Sequence, residues 1–199
     1  MGRPRQHDLG TRERLLDSAE RLVAGGTNAV TVRAVADQAG TTTRAVYSVF
    51  GSKEGLLDAL AQRAFELLIE RVDTAPITDD PGADLISAAL RGYRPFARER
   101  PDLFRLVFAA RLEPGPDGAS ARENAYSRLI QRVQRARDAG LLGAHPPDEV
   151  ALHWDAMCYG LAIRELGCAL DPAAAERLWD EGLRALLRGF RDGPRAEVG

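Results

Sequence analysis

The chain is predicted to be all-α, with about nine helices, on three observations. Apolar residues return at the 3.6-residue period of a helix through most of the sequence. Clusters of Gly and Pro at 25–26, 75–82, 113–118 and 145–147 cut these runs into helix-sized lengths. No alternating or β-branched run offers a strand. With 199 residues and 45% hydrophobic content, the chain has material for one large domain or a small one joined to a medium one. No apolar run nears the ~18 residues of a membrane span. The opening MGRPRQHD lacks the apolar stretch of a secretory signal, so the cytoplasm is the expected location.

Residues 1–8 are expected to form a flexible basic arm. Arg3 and Arg5 resemble tails that reach into an A·T-rich minor groove, and the same residues would serve equally as a plain soluble N-terminus. A helix over 10–24 follows, with Leu15, Leu16, Ala19, Leu22 and Val23 as its apolar stripe and Gly25-Gly26 as its stop. The stretch 31–57, TVRAVADQAGTTTRAVYSVFGSKEGLL, carries the most information. Thr31 is a good N-cap for a short helix with Val32, Val35, Ala36 and Ala39 at helical spacing. Gly40 can take the left-handed turn that stops it. A second short helix over 42–50 ends at Gly51, and Ser52 caps a third. Two short helices at a Gly-containing turn make a helix-turn-helix, whose second helix can enter a major groove.

The composition of that second helix favours DNA over a plain helical corner. Ala45, Val46 and Val49 fall on one side and can pack on the first helix. Thr43, Arg44 and Tyr47 share the other side, with no acid to repel phosphate. Arg44 can bond guanine O6 and N7 in bidentate fashion, and Thr43 can meet a base edge or a thymine methyl. Tyr47 suits a phosphate or sugar, and Lys53 adds charge at the start of the next helix, where free N–H groups favour a phosphate. Arg33 and Thr42 complete the expected contacts. Charge is split in the same sense: net −2 overall, but residues 1–53 hold eight basic side chains against five acids. The rear of the chain is therefore acidic.

These residues resemble the DNA-binding domain of TetR-type transcriptional regulators. That pattern has an early Arg, a Gly at the turn, a Tyr, a following Phe and then Ser-Lys-Glu-x-Leu. Arg33, Gly40, Tyr47, Phe50, Ser52, Lys53, Glu54 and Leu56 supply it here. The chain departs from it at Gly51, where Pro is frequent, and at Thr41, where Val is frequent. The likeness covers about residues 9–60 and implies a three-helix DNA-binding domain over 9–55, with the motif at 32–51.

The third helix should run on to about residue 73, through Leu56, Leu57, Leu60, Ala64, Leu67, Leu68 and Val72, which makes it the mechanical link to the rest. A Pro- and Asp-rich loop follows at 75–82. Helices are then expected over 83–99, 102–112 (with Pro101 at its first turn), 120–139, 147–169 and 171–188. Together they form a larger C-terminal helical domain over 56–190, with 191–199 as a disordered tail. In the last helix Leu178, Trp179, Gly182, Leu183, Leu186, Leu187 and Phe190 form one stripe. Residues 156–163 of the helix before it are apolar all round and need cover on more than one side. A symmetry mate is the expected cover, over Tyr159, Gly160, Ile163, Gly167, Leu178, Trp179, Leu183 and Leu186. A homodimer would also set two recognition helices about 34 Å apart on a palindrome.

The segment YRPFARERPDLFRLVF at 93–108, with Trp154 and Tyr159-Gly160, is similar to the TetR-type C-terminal domain named for a Trp…His-Gly signature, with Tyr159 in place of the His. That resemblance implies a helical ligand-binding and dimerisation domain. Candidate pocket residues are Tyr93, Phe96, Phe104, Phe108, Tyr126, Trp154 and Met157, each also ordinary core material. Arg91, Arg111, His153 and Arg164 could orient a ligand, expected to be apolar or aromatic. Three histidines and two cysteines show no metal-ligand spacing, so neither a metal nor a cofactor is expected. Cys158 and Cys168, ten residues apart in sequence, are too far apart on one helix for a disulfide. No catalytic motif appears, so an enzyme is not expected. The expected function is a dimeric sequence-specific DNA-binding transcriptional regulator, a repressor released from a palindromic operator by a small ligand. The alternative is a regulator whose C-terminal domain only dimerises or docks a protein.

Overall fold

The computed structural model describes residues 6–109, 114–168 and 170–192. Every regular element among them is helical, so the all-α expectation holds. The helices are α1 (Gln6–Val23), α2 (Val32–Gln38), α3 (Thr43–Phe50), α4 (Lys53–Asp73), α5 (Pro81–Ala88), α6 (Arg94–Glu99), α7 (Pro101–Phe104), α8 (Pro116–Asp138), α9 (Pro147–Gly167) and α10 (Pro172–Asp192). Residues Ala89–Tyr93 and Arg105–Ala109 form wide π-helical turns. Among the described residues no helix is long and apolar enough to cross a membrane.

Two compact units divide the chain. One holds 1–65 and 102–122, the other 66–101 and 123–199. The expected 9–55 head lies wholly within the first. α4 is a single helix whose first residues belong to the first unit and whose last belong to the second.

In the first unit the core is Leu15, Leu16, Ala19 and Val23 of α1, Val35 and Ala36 of α2, Val46 of α3, and Leu56, Leu60 and Ala64 of α4. These are the apolar positions of each helix at its own period. Arg63 of α4 adds a polar tie, reaching Asp17 at 2.6 Å and Glu20 at 3.7 Å on one face of α1. The start of α1 differs from expectation. The helix begins at Gln6, so Gly10 is an exposed position inside it rather than its boundary. Arg3 and Arg5 lie outside the described residues.

α8 begins at Pro116, inside the stretch expected to break the chain. Its cap explains why. The Asp58 carboxylate, from α4, accepts from the Gly118 N–H at 2.8 Å and the Asp117 N–H at 3.3 Å. A helix start satisfied by a side chain sixty residues away leaves no local signature. Asp58→Ala should therefore cost about 1 kcal/mol of stability, read by urea unfolding. An unchanged midpoint would show that water caps the helix as well as the carboxylate does.

In the second unit, the expected 83–99 helix is α5 and α6 joined by the wide turn. Pro95 is the cause. It has no N–H for the preceding turn and its ring crowds the carbonyl there, so the backbone widens just before it. Gly92 uses that turn to touch α4: a Cβ there would stand 2.6 Å from the Val72 Cα. The 75–82 loop is tied down by buried Asp84. It accepts from the Thr78 N–H (2.7 Å), the Thr78 hydroxyl (2.8 Å) and Arg135 (2.8 Å). Burial pushes this carboxyl up, but the bonds from Arg135 and Thr78 outweigh it and hold it below the usual carboxylate range. α10 continues to Asp192, so Arg191 and Asp192 are helical rather than tail, and 193–199 lie outside the described residues.

Candidate nucleic-acid interface

The helix-turn-helix is built as its residue types demand. Thr31 has extended backbone and its hydroxyl accepts from the Ala34 N–H at 3.1 Å, which caps α2. Gly40 takes a φ of 64° at the turn. Thr42 caps α3 in the same way, accepting from the Ala45 N–H at 3.3 Å. Gly51 ends α3 with a φ of 73°, a conformation closed to the Pro frequent at this position in TetR-type domains. Ser52 then accepts from the Gly55 N–H at 3.1 Å to start α4.

α3 turns Val46 into the core and leaves Thr43, Arg44 and Tyr47 exposed, Tyr47 by 54%. Arg44 has no hydrogen bond or ion pair among the described residues, so its guanidinium is available in full to an acceptor. Ser48 is exposed on the same arc, one turn after Arg44, and is absent from the expected contacts. Its position four residues on from Arg44 was the available signal. Thr42 uses an oxygen lone pair for the cap, yet its O–H proton remains for a phosphate oxygen. Arg33 is 88% exposed and stands 3.9 Å from Asp37, a pair too open to hold it.

Lys53 needs a correction. The N–H groups expected to sit free beside it are partly engaged, by Ser52 and by Glu54, whose carboxyl is held below its usual range first by a backbone hydrogen bond. Any phosphate there would meet a carboxylate next to the lysine. Lys53 thus stands next to a carboxylate, at a helix start whose N–H groups are partly engaged.

The seven candidate pocket residues divide between the two units. Phe104 and Phe108 belong to the first unit, stacked at 4.9 Å, with Phe65 edge-on to Phe108 at 5.7 Å. In the second unit Tyr93, Phe96 and Trp154 are buried, Met157 is half-buried and Tyr126 is 37% exposed. Tyr93 packs on Trp179 at 6.3 Å, and burial pushes its phenol well up. Of the polar groups, Arg91, His153 and Arg164 are exposed, and Arg111 lies outside the described residues. The expected dimer face also divides. Gly160, Gly167 and Leu178 are exposed and Tyr159, Ile163 and Leu186 half-buried, but Trp179 and Leu183 are fully buried. Trp179 turns inward because its indole N–H bonds Glu165 at 2.8 Å, so these two cannot cover a partner. Leu152, 61% exposed, and Ala156 lie on the outward side instead. Among the described residues no group of three His, Cys, Asp or Glu could hold a metal. Burial pushes the Cys158 thiol far up.

Comparisons with known proteins agree with this geometry. Residues 15–60 match the family model described as bacterial regulatory proteins, tetR family. Residues 86–186 match the one described as tetracyclin repressor-like, C-terminal domain. Among solved structures, a protein of unknown function from Rhodococcus sp. RHA1 is 25% identical with a TM-score of 0.77, over 96% of this chain and 100% of that one. The TetR family transcriptional regulator PfmR from Thermus thermophilus is 20% identical with a TM-score of 0.70, over 88% of this chain and 97% of its own. The fatty acid degradation regulator FadR from Bacillus halodurans is 15% identical with a TM-score of 0.77, over 96% and 98%. The last two likenesses are of fold alone. No curated protein matches the chain. With a family model over each part, and a capped, acid-free reading helix in the first, the chain belongs to the tetR family of bacterial transcription regulators.

Proposed function

We propose that the protein is a homodimeric repressor that reads a palindromic operator with α3 and leaves it when a small apolar or aromatic ligand binds. The observation that carries the reading is the outward arc of Thr43, Arg44, Tyr47 and Ser48, with an unpaired guanidinium at its centre. Support for the dimer comes from α9 and α10. Leu152, Ala156, Gly160 and Gly167 follow one another along the exposed side of α9, and Leu178 is 41% exposed on α10. Such a stripe of apolar and small residues suits a two-fold contact between helices. Release would act through α4, which begins at Lys53 beside the reading helix and runs as one continuous helix to Asp73. A coupling of about 1–3 kcal/mol between ligand and operator would suffice.

In vitro selection of bound DNA by the purified protein tests the first half of the proposal. Two inverted half-sites about one helical turn apart are expected. A single unrepeated site, or a sedimenting monomer at working concentration, would defeat the dimeric reading. A thermal-shift screen of small apolar molecules tests the second half: a compound that raises the melting temperature should also release the operator. If none does, the C-terminal domain only dimerises or docks a protein. Lys53→Ala should weaken every DNA sequence alike and lower the slope of log affinity against log salt by about one. A slope that stays put would remove Lys53 from the interface.

A further inference from the structure

α4 is not alone in belonging to both units. α8 likewise has 116–122 in the first and 123–138 in the second. Each unit holds a tie between these two helices. In the first, the Asp58 carboxylate of α4 caps the start of α8 through the Asp117 and Gly118 N–H groups. The approach is close: a Cβ on Gly118 would stand 2.7 Å from that carboxylate and 3.0 Å from the Ala61 Cβ. In the second, Arg132 of α8 donates to the Val72 carbonyl at 3.1 Å and the Ala75 carbonyl at 3.3 Å, at the end of α4.

The second tie is the stiffer one. Arg132 is 7% exposed, and its Nη1 is buried with no hydrogen bond among the described residues. A guanidinium so placed would be left further unsatisfied by losing Val72 and Ala75, so moving the end of α4 away from it is costly. Arg128, one turn earlier on α8, stands 3.5 Å from Asp73, but both side chains are exposed and the pair adds little. The Asp58–Gly118 and Val72–Arg132 ties each join residues 60 apart in sequence. Equal lengths of helix, about 21 Å, therefore lie between the ties on α4 and on α8. A slide or turn of either helix against the other breaks a tie.

We propose that Asp58 and Arg132 are positioning residues that fasten α8 to α4, which makes α8 a second strut behind the reading helix. The proposal deepens the ligand-release reading above and rests on it for its biological meaning: a ligand that shifted α8 would carry α4 with it. Coupling between two sites is reciprocal, so an operator held by α3 must be felt along α8. The test is hydrogen exchange of the full-length protein, with and without a saturating amount of its best selected duplex, read peptide by peptide. The duplex should slow peptides from 123–138 by at least about fivefold, the low end of such a coupling, and peptides of α10 by much less. Asp58→Ala and Arg132→Met should each abolish the α8 response and keep that of 31–57. Asp58→Asn leaves an oxygen to accept from the same N–H groups and should restore the response. Arg132→Lys leaves a donor for the carbonyls and should restore part of it.

Equal slowing of α8 and α10 would be a gain in global stability, and it overturns the strut. So does an α8 that ignores the duplex, or an α8 response that survives either Asp58→Ala or Arg132→Met. If Arg132→Met fails to fold by circular dichroism, Asp58→Ala, which removes only a cap, decides. The ligand-release reading is scored separately. A screen in which no compound frees the duplex removes that reading and leaves a responding α8 standing. A compound that frees the duplex from a protein whose α8 never responds does the reverse.

Discussion

Glu165→Ala is expected to lower the stability of the protein by about 3–5 kcal/mol, the range for removing one partner of a buried ion pair. Both groups are well buried, the side chains of Arg94 and Glu165 being 8% and 12% exposed. Arg94 offers Nε to Oε2 at 3.0 Å and a second guanidinium nitrogen to Oε1 at 3.0 Å, a two-point grip. The indole N–H of fully buried Trp179 donates to the same carboxylate at 2.8 Å. Alanine would strand a guanidinium and an indole N–H together. Among the described residues the other acid paired with Arg94 is Glu176, 3.9 Å away and 70% exposed, which is too open to compensate. Against a total stability of order 5–15 kcal/mol, the loss is large. Guanidinium unfolding should show a lower midpoint at unchanged slope. Glu165→Gln, which keeps an acceptor for the indole, should lose less. If Glu165→Ala lost under about 1 kcal/mol, the pair would be solvated in solution and the account of this core wrong.

That network also shows where the sequence stops being readable. The three partners lie on three helices, and nothing in the spacing of residues 94, 165 and 179 ties them together. An apolar stripe alone assigns Trp179 to a partner chain, when its N–H draws it inward. The Asp58 cap of α8 is hidden for the same reason. Long-range polar pairings leave no local trace. Caps and turns behave in the opposite way. Thr31, Gly40, Thr42, Gly51 and Ser52 each satisfy or redirect the backbone within four residues of themselves, so their roles can be read directly. The candidate interface is legible because it is made of such local pieces. Ser48 escapes because a small hydroxyl beside two larger polar groups carries little signal in composition. The pocket candidates stay ambiguous for a third reason: aromatic residues fill cores and line sites equally well, and periodicity cannot separate the two.

Arg44→Ala carries the second large effect, and its form matters more than its size. A bidentate contact to guanine is worth about 1–3 kcal/mol of discrimination, so the best selected operator should lose roughly 5- to 150-fold in affinity per half-site. Most of that loss should fall on one base pair. Against an operator variant changed at that pair, wild type and Arg44→Ala should bind nearly alike, because the contact is already gone. Binding to random duplex should fall only by the share of a single charge. The geometry makes the contact available at little cost: α3 is capped by Thr42 before Arg44 and held inward by Val46, so the guanidinium starts from a rigid base and surrenders no existing partner. Thr43→Ala serves as the comparison, since a hydroxyl and methyl on the same arc should shift a different base position by less. The decisive readout is the selection profile of the variant. If Arg44→Ala weakened all sequences equally and left the preference at every position intact, Arg44 would be a phosphate anchor, and the reading of bases would pass to Thr43, Tyr47 and Ser48.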